Sequence, residues 1–268
     1  MHLKTILKRA IIVLLMPSLF CFSLIACSKP ANKDTGVNVV SNKDKPKANP
    51  ISIKYIGNSC FYITFSDGTR LVTDPYGSRF SSNFGEFPKL EADVMTISHN
   101  HADHTSGISE VKGNPKIIQP EHVSKPIKVG KVEITSYLSK HVANMGDNII
   151  FVYKEDGYKI VHMGETDSID SVEAQEAVKD ADVILAYTGE YGSVTNKDSF
   201  VALNKMNIKV VIPQHYSMDE KNIFYGGPTI DKILTELPQG TKVTKSKEFI
   251  VKKALEKQFV ELTSMNNK

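Results

Sequence analysis

The segment Ser98-His99-Asn100-His101-Ala102-Asp103-His104 places three imidazoles and one carboxylate within six positions, in the pattern H-x-H-x-D-H. Imidazole and carboxylate are good ligands for Zn²⁺, Mn²⁺ or Fe, and four of them share one small volume cheaply only around a cation. In an extended stretch, side chains two apart point the same way, so His99 and His101 can grip one ion together. Asp103 and His104 come where the chain turns, at Thr105-Ser106-Gly107, and can face a second ion beside the first. The apolar run Ala92 to Ile97 just upstream reads as a buried strand. The cluster therefore belongs to a loop at a strand's carboxyl end, where open α/β folds build their sites.

The chain holds eight histidines, and those beyond the cluster recur after strand-like runs. His141 follows Val132 to Leu138, and His215 follows Ile208 to Gln214. His162 lies near the end of Tyr158 to Met163, just before Gly164-Glu165-Thr166-Asp167. Ligands placed after successive strands suit a site assembled along one edge of a sheet.

Taken in order, these segments resemble the metallo-β-lactamase-fold hydrolases. The resemblance covers nearly all of residues 51–268 and looks closest to the branch containing L-ascorbate-6-phosphate lactonase. It rests on the turn Gly57-Asn58-Ser59, the strand ending in Asp74-Pro75, the histidine loop, the lone His141, the segment His162 to Thr166, and Ile212-Pro213-Gln214-His215-Tyr216. The resemblance implies an α/β fold, an αββα sandwich of mixed sheets with helices outside. It implies two divalent ions, Zn²⁺ first with Mn²⁺ or Fe as alternatives. His99, His101 and His141 then correspond to the ligands of one ion, and Asp103, His104 and His215 to those of the other. Asp74 corresponds to a buried acid that supports the histidine loop from behind without binding metal; such carboxylates fix imidazole tautomer and orientation.

Two positions depart from the family pattern. Glu165 stands where an Asp usually bridges both metals; it could bridge, hold one ion only, or yield to Asp167, and bridging is the favoured reading. Asn58 stands where close relatives carry His, which points to a change in substrate recognition. His162 reads as a supporting residue behind the metals and His122 as a loop residue. Tyr216, and Tyr187 and Glu190 at the end of the strand Asp182 to Ala186, are candidates for substrate contact, Tyr216 equally for packing.

The amino terminus concerns location. Lys4, Lys8 and Arg9 precede the apolar stretch Ala10 to Phe20, too short for a comfortable membrane span, which reads as a secretory signal. Leu24-Ile25-Ala26-Cys27 then matches the bacterial lipobox, with lipidated Cys27 as the first mature residue. Two acyl chains there would anchor the protein stably to the membrane. The expected organisation is a signal peptide over 1–26, a lipidated cysteine and flexible polar tether over 27–50, and a hydrolase domain over 51–268. Leader and tether carry three net positive charges each, so the formal +3 of the whole chain leaves the domain at −3. A basic nucleic-acid surface is not indicated. Cys60 is left without a partner for a disulfide and is expected to pack as a small apolar residue.

Strands are predicted over 51–56, 60–65, 70–73, 94–98, 116–119, 132–138, 148–153 and 158–163. Asp67-Gly68 and Asp156-Gly157 are the hairpin turns, and helices are predicted over 168–179, 197–206 and 229–237. Two ions about 3.5–4 Å apart would turn a shared water into hydroxide near neutral pH, with Asp103 and His104 at the catalytic side and Asp103 orienting the nucleophile. The expectation is a surface-tethered metal-dependent hydrolase acting on a lactone, small ester or phosphoester. An extracellular nuclease and a non-catalytic metal- or ligand-binding lipoprotein are the alternatives. Fold alone does not choose among them, and the oligomeric state is left open.

Overall fold

The computed structural model describes residues 49–120, 125–189, 195–217 and 227–265. Among them, one sheet has six strands in the order β13-β1-β2-β3-β4-β5 and a second has eight in the order β12-β14-β11-β10-β9-β8-β7-β6. The strands are β1 (Ser52–Gly57), β2 (Cys60–Thr64), β3 (Arg70–Thr73), β4 (Val94–Thr96), β5 (Lys116–Ile118), β6 (Ile127–Val129) and β7 (Val132–Lys140). They continue with β8 (Asp147–Glu155), β9 (Tyr158–His162), β10 (Val183–Tyr187), β11 (Val210–Gln214), β12 (Val243–Ser246), β13 (Phe249–Ile250) and β14 (Gln258–Leu262). Five short helices complete the elements: α1 (Ser81–Phe84), α2 (Ala102–Thr105), α3 (Val172–Val178), α4 (Asn196–Lys205) and α5 (Ile230–Glu236).

Both sheets are mixed. β3, β4 and β5 pair in parallel, as do β9, β10, β11 and β14, whereas β1, β2 and β3 form antiparallel pairs. Strand alternation divides the first sheet between two apolar layers. Phe61, Ile63, Leu71 and Val94 face the large core with Phe151, Tyr153 and Ile160 of the second sheet, while Cys60, Val72 and Met95 face outward onto Tyr76, Phe84 and Phe87. A two-residue period with apolar groups on both sides is what a strand covered on both faces requires. The architecture is the expected α/β sandwich, with one modification: the first sheet's outer cover is a loop with short helical turns over 76–92, packed through aromatic rings, rather than long helices. Cys60 is buried and free, as a small apolar residue of that layer.

Capping sets the helix starts. Ser171, Thr195 and Thr229 each accept a hydrogen bond from the backbone N–H three residues on, which satisfies a donor the helix itself leaves open. α3 is therefore seven residues, shorter than the predicted 168–179. At the hairpin joining β8 and β9, Asp156 and Gly157 both have positive φ, as a two-residue turn matched to strand twist requires. At Asp67-Gly68 only Gly68 does, and its N–H reaches back to the Phe65 carbonyl, giving a longer turn.

Candidate metal centre

The histidine loop changes conformation within itself. His101 is extended, with φ −74° and ψ 150°, and caps α2, whose single turn carries Asp103 and His104. The extended half sends His99 and His101 one way and the helical half sends Asp103 and His104 another. His141 arrives from the end of β7, Glu165 from the loop after β9 and His215 from the residue after β11. Two groups of donors result, His99 with His101 and His141, and Asp103 with His104, Glu165 and His215. Within each group the ligand atoms lie within 4.8 Å of one another. Six of the seven side chains are buried, and His101 is partly exposed.

Glu165 stands between the groups. One carboxylate oxygen lies 2.7 Å from Nε2 of His104 and 3.0 Å from Nε2 of His215, and the other lies 3.4 Å from Nε2 of His141. Asp167 joins neither group, so the alternative of Asp167 as the bridging acid is not the arrangement present. Gly164 has φ +55°, and a Cβ there would meet Asn148 Oδ1 at 2.3 Å and Ser98 Cβ at 2.6 Å. Gly164→Ala is expected to destabilise the fold by about 1–3 kcal/mol through strain and overpacking. It should also lower bound metal, read by thermal unfolding and elemental analysis of one preparation.

Tautomers follow from the hydrogen bonds. The single proton of the Ser98 hydroxyl goes to Asp74 Oδ2 at 2.6 Å, so Ser98 Oγ can only accept from Nδ1 of His99 at 2.9 Å. His104 gives its Nδ1 proton to Asp74 at 2.9 Å, and His141 gives its own to the Val142 carbonyl at 2.7 Å. His99 and His141 therefore turn an Nε2 lone pair inward, the state a metal needs, whereas Nε2 of His104, 2.7 Å from the Glu165 carboxylate, carries a proton that a cation would replace. Nε2 of His99 and of His141 is buried with no hydrogen-bond partner among the described residues. Buried nitrogens left unpaired in this way cost stability, and a cation between them removes that cost. The residues present fit two divalent ions.

Electrostatics agree with that reading. Burial would raise the Asp103 carboxyl, but His104 and His215 pull it well below the usual carboxylate range. Glu165 is likewise raised by burial and lowered further by His215 and His104, so it stays anionic. Burial, with His104 next, pushes His99 far below the ordinary imidazole value and keeps it neutral. Burial opposes charge on His104 too, yet Asp103 and Asp74 hold its value well above normal. Positive charge is thus wanted next to the carboxylates.

The remaining predicted residues fall in several places. Asp74 is fully buried and accepts from Ser98 N–H at 2.7 Å as well as from Ser98 Oγ and His104. His162 joins neither donor group: its Nε2–H donates to the Ser59 carbonyl at 3.0 Å, holding the turn that carries Asn58. Asn58 has no exposed surface and donates to the carbonyl and to Oδ2 of Asp103, both at 3.1 Å, so it positions a metal ligand. Tyr187 lies with its ring centroid 5.2 Å from His215, at the wall of a cavity of about 70 Å³ that also touches Asp167, Ser168 and Asp170. Of the two readings of Tyr216, packing is the one present. Its ring stacks on Tyr55 at 5.4 Å and its hydroxyl donates to the Leu262 carbonyl. His215, at φ +59°, turns the chain so that Tyr216 packs into the core instead. Glu190, His122 and Cys27 lie outside the described residues.

Three residues in the site were not singled out from sequence. Ser98 sets the His99 tautomer. Asn148 accepts from the Glu165 N–H at 2.9 Å while its amide donates to Ser139, Met163 and Thr166. Gln214 donates to the Gly164 carbonyl at 2.7 Å. Of these, only Ser98 offered a signal, its place beside the histidine loop.

With this geometry in place, comparisons with known proteins add the following. A model described as "Beta-lactamase superfamily domain" matches residues 52–215. A UPF0173 metal-dependent hydrolase of Caldivirga maquilingensis is 23% identical over 188 residues, covering 62% of this chain and 82% of that protein. One from Thermococcus onnurineus is 24% identical over 192 residues, covering 62% and 85%. Among solved structures, the chain is similar to a Thermotoga maritima protein titled as a candidate zinc-dependent hydrolase of the metallo-β-lactamase superfamily. The TM-score is 0.63 at 26% identity, over 79% of this chain and 98% of that one. A metallo hydrolase of Ignicoccus hospitalis shares the fold with TM-score 0.56 at 17% identity, over 82% and 97%.

Proposed function

Because the chain belongs to the β-lactamase superfamily, whose domain it carries over residues 52–215, we propose that it is a metal-dependent hydrolase of a lactone or other small ester. The observation carrying this reading is the central carboxylate of Glu165, flanked by two buried donor groups whose imidazole lone pairs converge. Two divalent ions bound there would supply Lewis acidity and a hydroxide nucleophile near neutral pH. His99, His101 and His141 would hold one, Asp103, His104 and His215 the other, with Glu165 between them. Zn²⁺ suits this nitrogen-rich set, and Mn²⁺ or Fe would also fit its oxygens. Asn58 fixes Asp103 so that its carboxylate keeps one orientation toward the reacting water. The formal charge of −3 on the domain opposes a polyanionic substrate. A nuclease reading is therefore disfavoured.

The test is elemental analysis of the purified protein, paired with a screen of lactones, esters and phosphodiesters. His101→Ala should lose metal from the three-histidine group and at least about a thousandfold in any activity found, since a step that relies on metal charge loses several kcal/mol. Full activity in that variant would refute the assignment.

We further propose that the protein is held at the outer face of a bacterial membrane by lipid on Cys27. Support comes from the leader and the Leu24-to-Cys27 pattern. No helix among the described residues is long and apolar enough to cross a membrane. Cys27→Ser should abolish incorporation of labelled palmitate, and persistent labelling would remove the proposal.

A further inference from the structure

A second cavity, of about 250 Å³, lies at the other end of the eight-stranded sheet. Lys209 and Gln258 line it at the amino ends of β11 and β14, whereas Glu165, Tyr187 and His215 occupy the carboxyl ends of β9, β10 and β11. β11 is five residues long, so at ~3.3 Å per residue the cavity stands roughly 17 Å from the metal donors. It plays no part in the chemistry proposed there.

The cavity has two distinct zones. Phe200, Leu203, Leu237 and Phe259 form an apolar floor, and Lys209, Lys242 and Lys257 stand at its rim. Lys242 pairs with Glu256. Lys209 donates to Asn207 Oδ1 at 3.0 Å and Lys257 to the Asn204 carbonyl at 2.6 Å. Those two ammonium groups touch only neutral oxygens and have no carboxylate partner among the described residues. An apolar floor beneath uncompensated cations is complementary to an amphiphile with an anionic head. The chain also enters the domain at this end: Val251 N–H donates to the Ile51 carbonyl at 2.9 Å, and the exposed Lys252 and Lys253 follow directly.

We infer that this cavity binds an anionic membrane phospholipid, its phosphate on Lys209 and Lys257 and part of an acyl chain on the partly exposed Val211, Leu237 and Pro238. Such binding seats this end of the domain on the bilayer and turns the metal centre away from it. The inference rests on the lipid-anchor reading for its membrane setting only. The compact unit Pro46–Lys268 lacks Cys27 and therefore tests the cavity apart from the anchor.

That unit should co-sediment with phosphatidylcholine vesicles containing phosphatidylglycerol and at least about tenfold more weakly with phosphatidylcholine alone, since each lysine near an anionic surface contributes about 1 kcal/mol. Lys209→Glu with Lys257→Glu should reduce vesicle binding by roughly tenfold or more, with metal content and thermal unfolding unchanged. Leu237→Ser, on the apolar floor, should weaken binding while leaving its salt dependence intact. Equal binding to both vesicle types would overturn the inference. So would full binding by the double variant, or its loss only on Lys252→Glu with Lys253→Glu, which would assign the effect to surface charge outside the cavity. Cys27→Ser in the full chain reads the anchor separately, so failure of one proposal is not failure of the other.

Discussion

Glu165→Gln will empty both donor groups and abolish activity, whereas Glu165→Asp will keep two ions and stay within about tenfold of the parent. The first expectation follows from the position of the carboxylate, 2.7 Å and 3.0 Å from the His104 and His215 nitrogens on one side and 3.4 Å from His141 on the other. Gln keeps the shape but turns one oxygen into a donor facing lone pairs. A buried charge pair broken from one side costs about 3–5 kcal/mol, and the loss should exceed a hundredfold in metal affinity, since even changing a partner behind the ligands costs about 10–100-fold. Asp keeps the charge and one oxygen within reach of each group, because the Asn148 bond to the residue's N–H and the conformation of Gly164 hold the backbone in place. Metal content by elemental analysis and turnover of the best substrate check both. A Gln variant retaining two ions would show that Glu165 is not the bridging ligand, and complete inactivity of the Asp variant would show that the longer side chain has another task.

The second large effect should come from a residue that touches no metal. Asp74→Ala leaves three buried donors without an acceptor, the Ser98 N–H, the Ser98 hydroxyl and the His104 Nδ1–H. Each such group costs about 1–3 kcal/mol, so the metal-free protein should lose on the order of 3–5 kcal/mol, seen as a lowered denaturant midpoint with unchanged slope. The released Ser98 proton can then turn toward His99, and the released His104 ring can place its proton on Nε2. Both rings would lose the inward lone pair, and metal affinity should fall by about 10–100-fold. Asp74→Asn should recover part of the stability but not the affinity, because an amide cannot accept from all three donors. An Asn variant with full metal content would mean that the tautomers are set elsewhere.

How far these residues were legible depends on the range of the physics. The H-x-H-x-D-H pattern is local: six consecutive positions, extended and then helical, divide four ligands between two directions whatever surrounds them. His141, Glu165 and His215 were reachable because each follows an apolar run and because the order of motifs resembled a known family. Asn148 and Gln214 were not, since a single amide in a strand carries no spacing and its partners lie on other strands. Tyr216 stayed open between substrate contact and packing for a similar reason: the positive φ of His215 decides which way the next side chain points, and composition does not encode it. The predicted strands of the first two-thirds of the chain recur in the structure with shifted ends. By contrast, β6, β12, β13 and β14 were missed: β6 and β13 have only three and two residues, β12 is lysine-interrupted, and the last three are stabilised by partners distant in the chain.

What the amino-acid order determined alone was the chemical inventory, a metal-binding set strung along strand ends within one domain-sized apolar pattern. Such information survives in sequence because ligand chemistry and strand periodicity act over a few residues. Only the packed sheets decided that Glu165 rather than Asp167 reaches the middle, that Asn58 serves Asp103, and that the chain enters the domain opposite the metal donors. Those outcomes depend on where separate strands end relative to one another, a distance that two sheets set only once their side chains have closed on a common core.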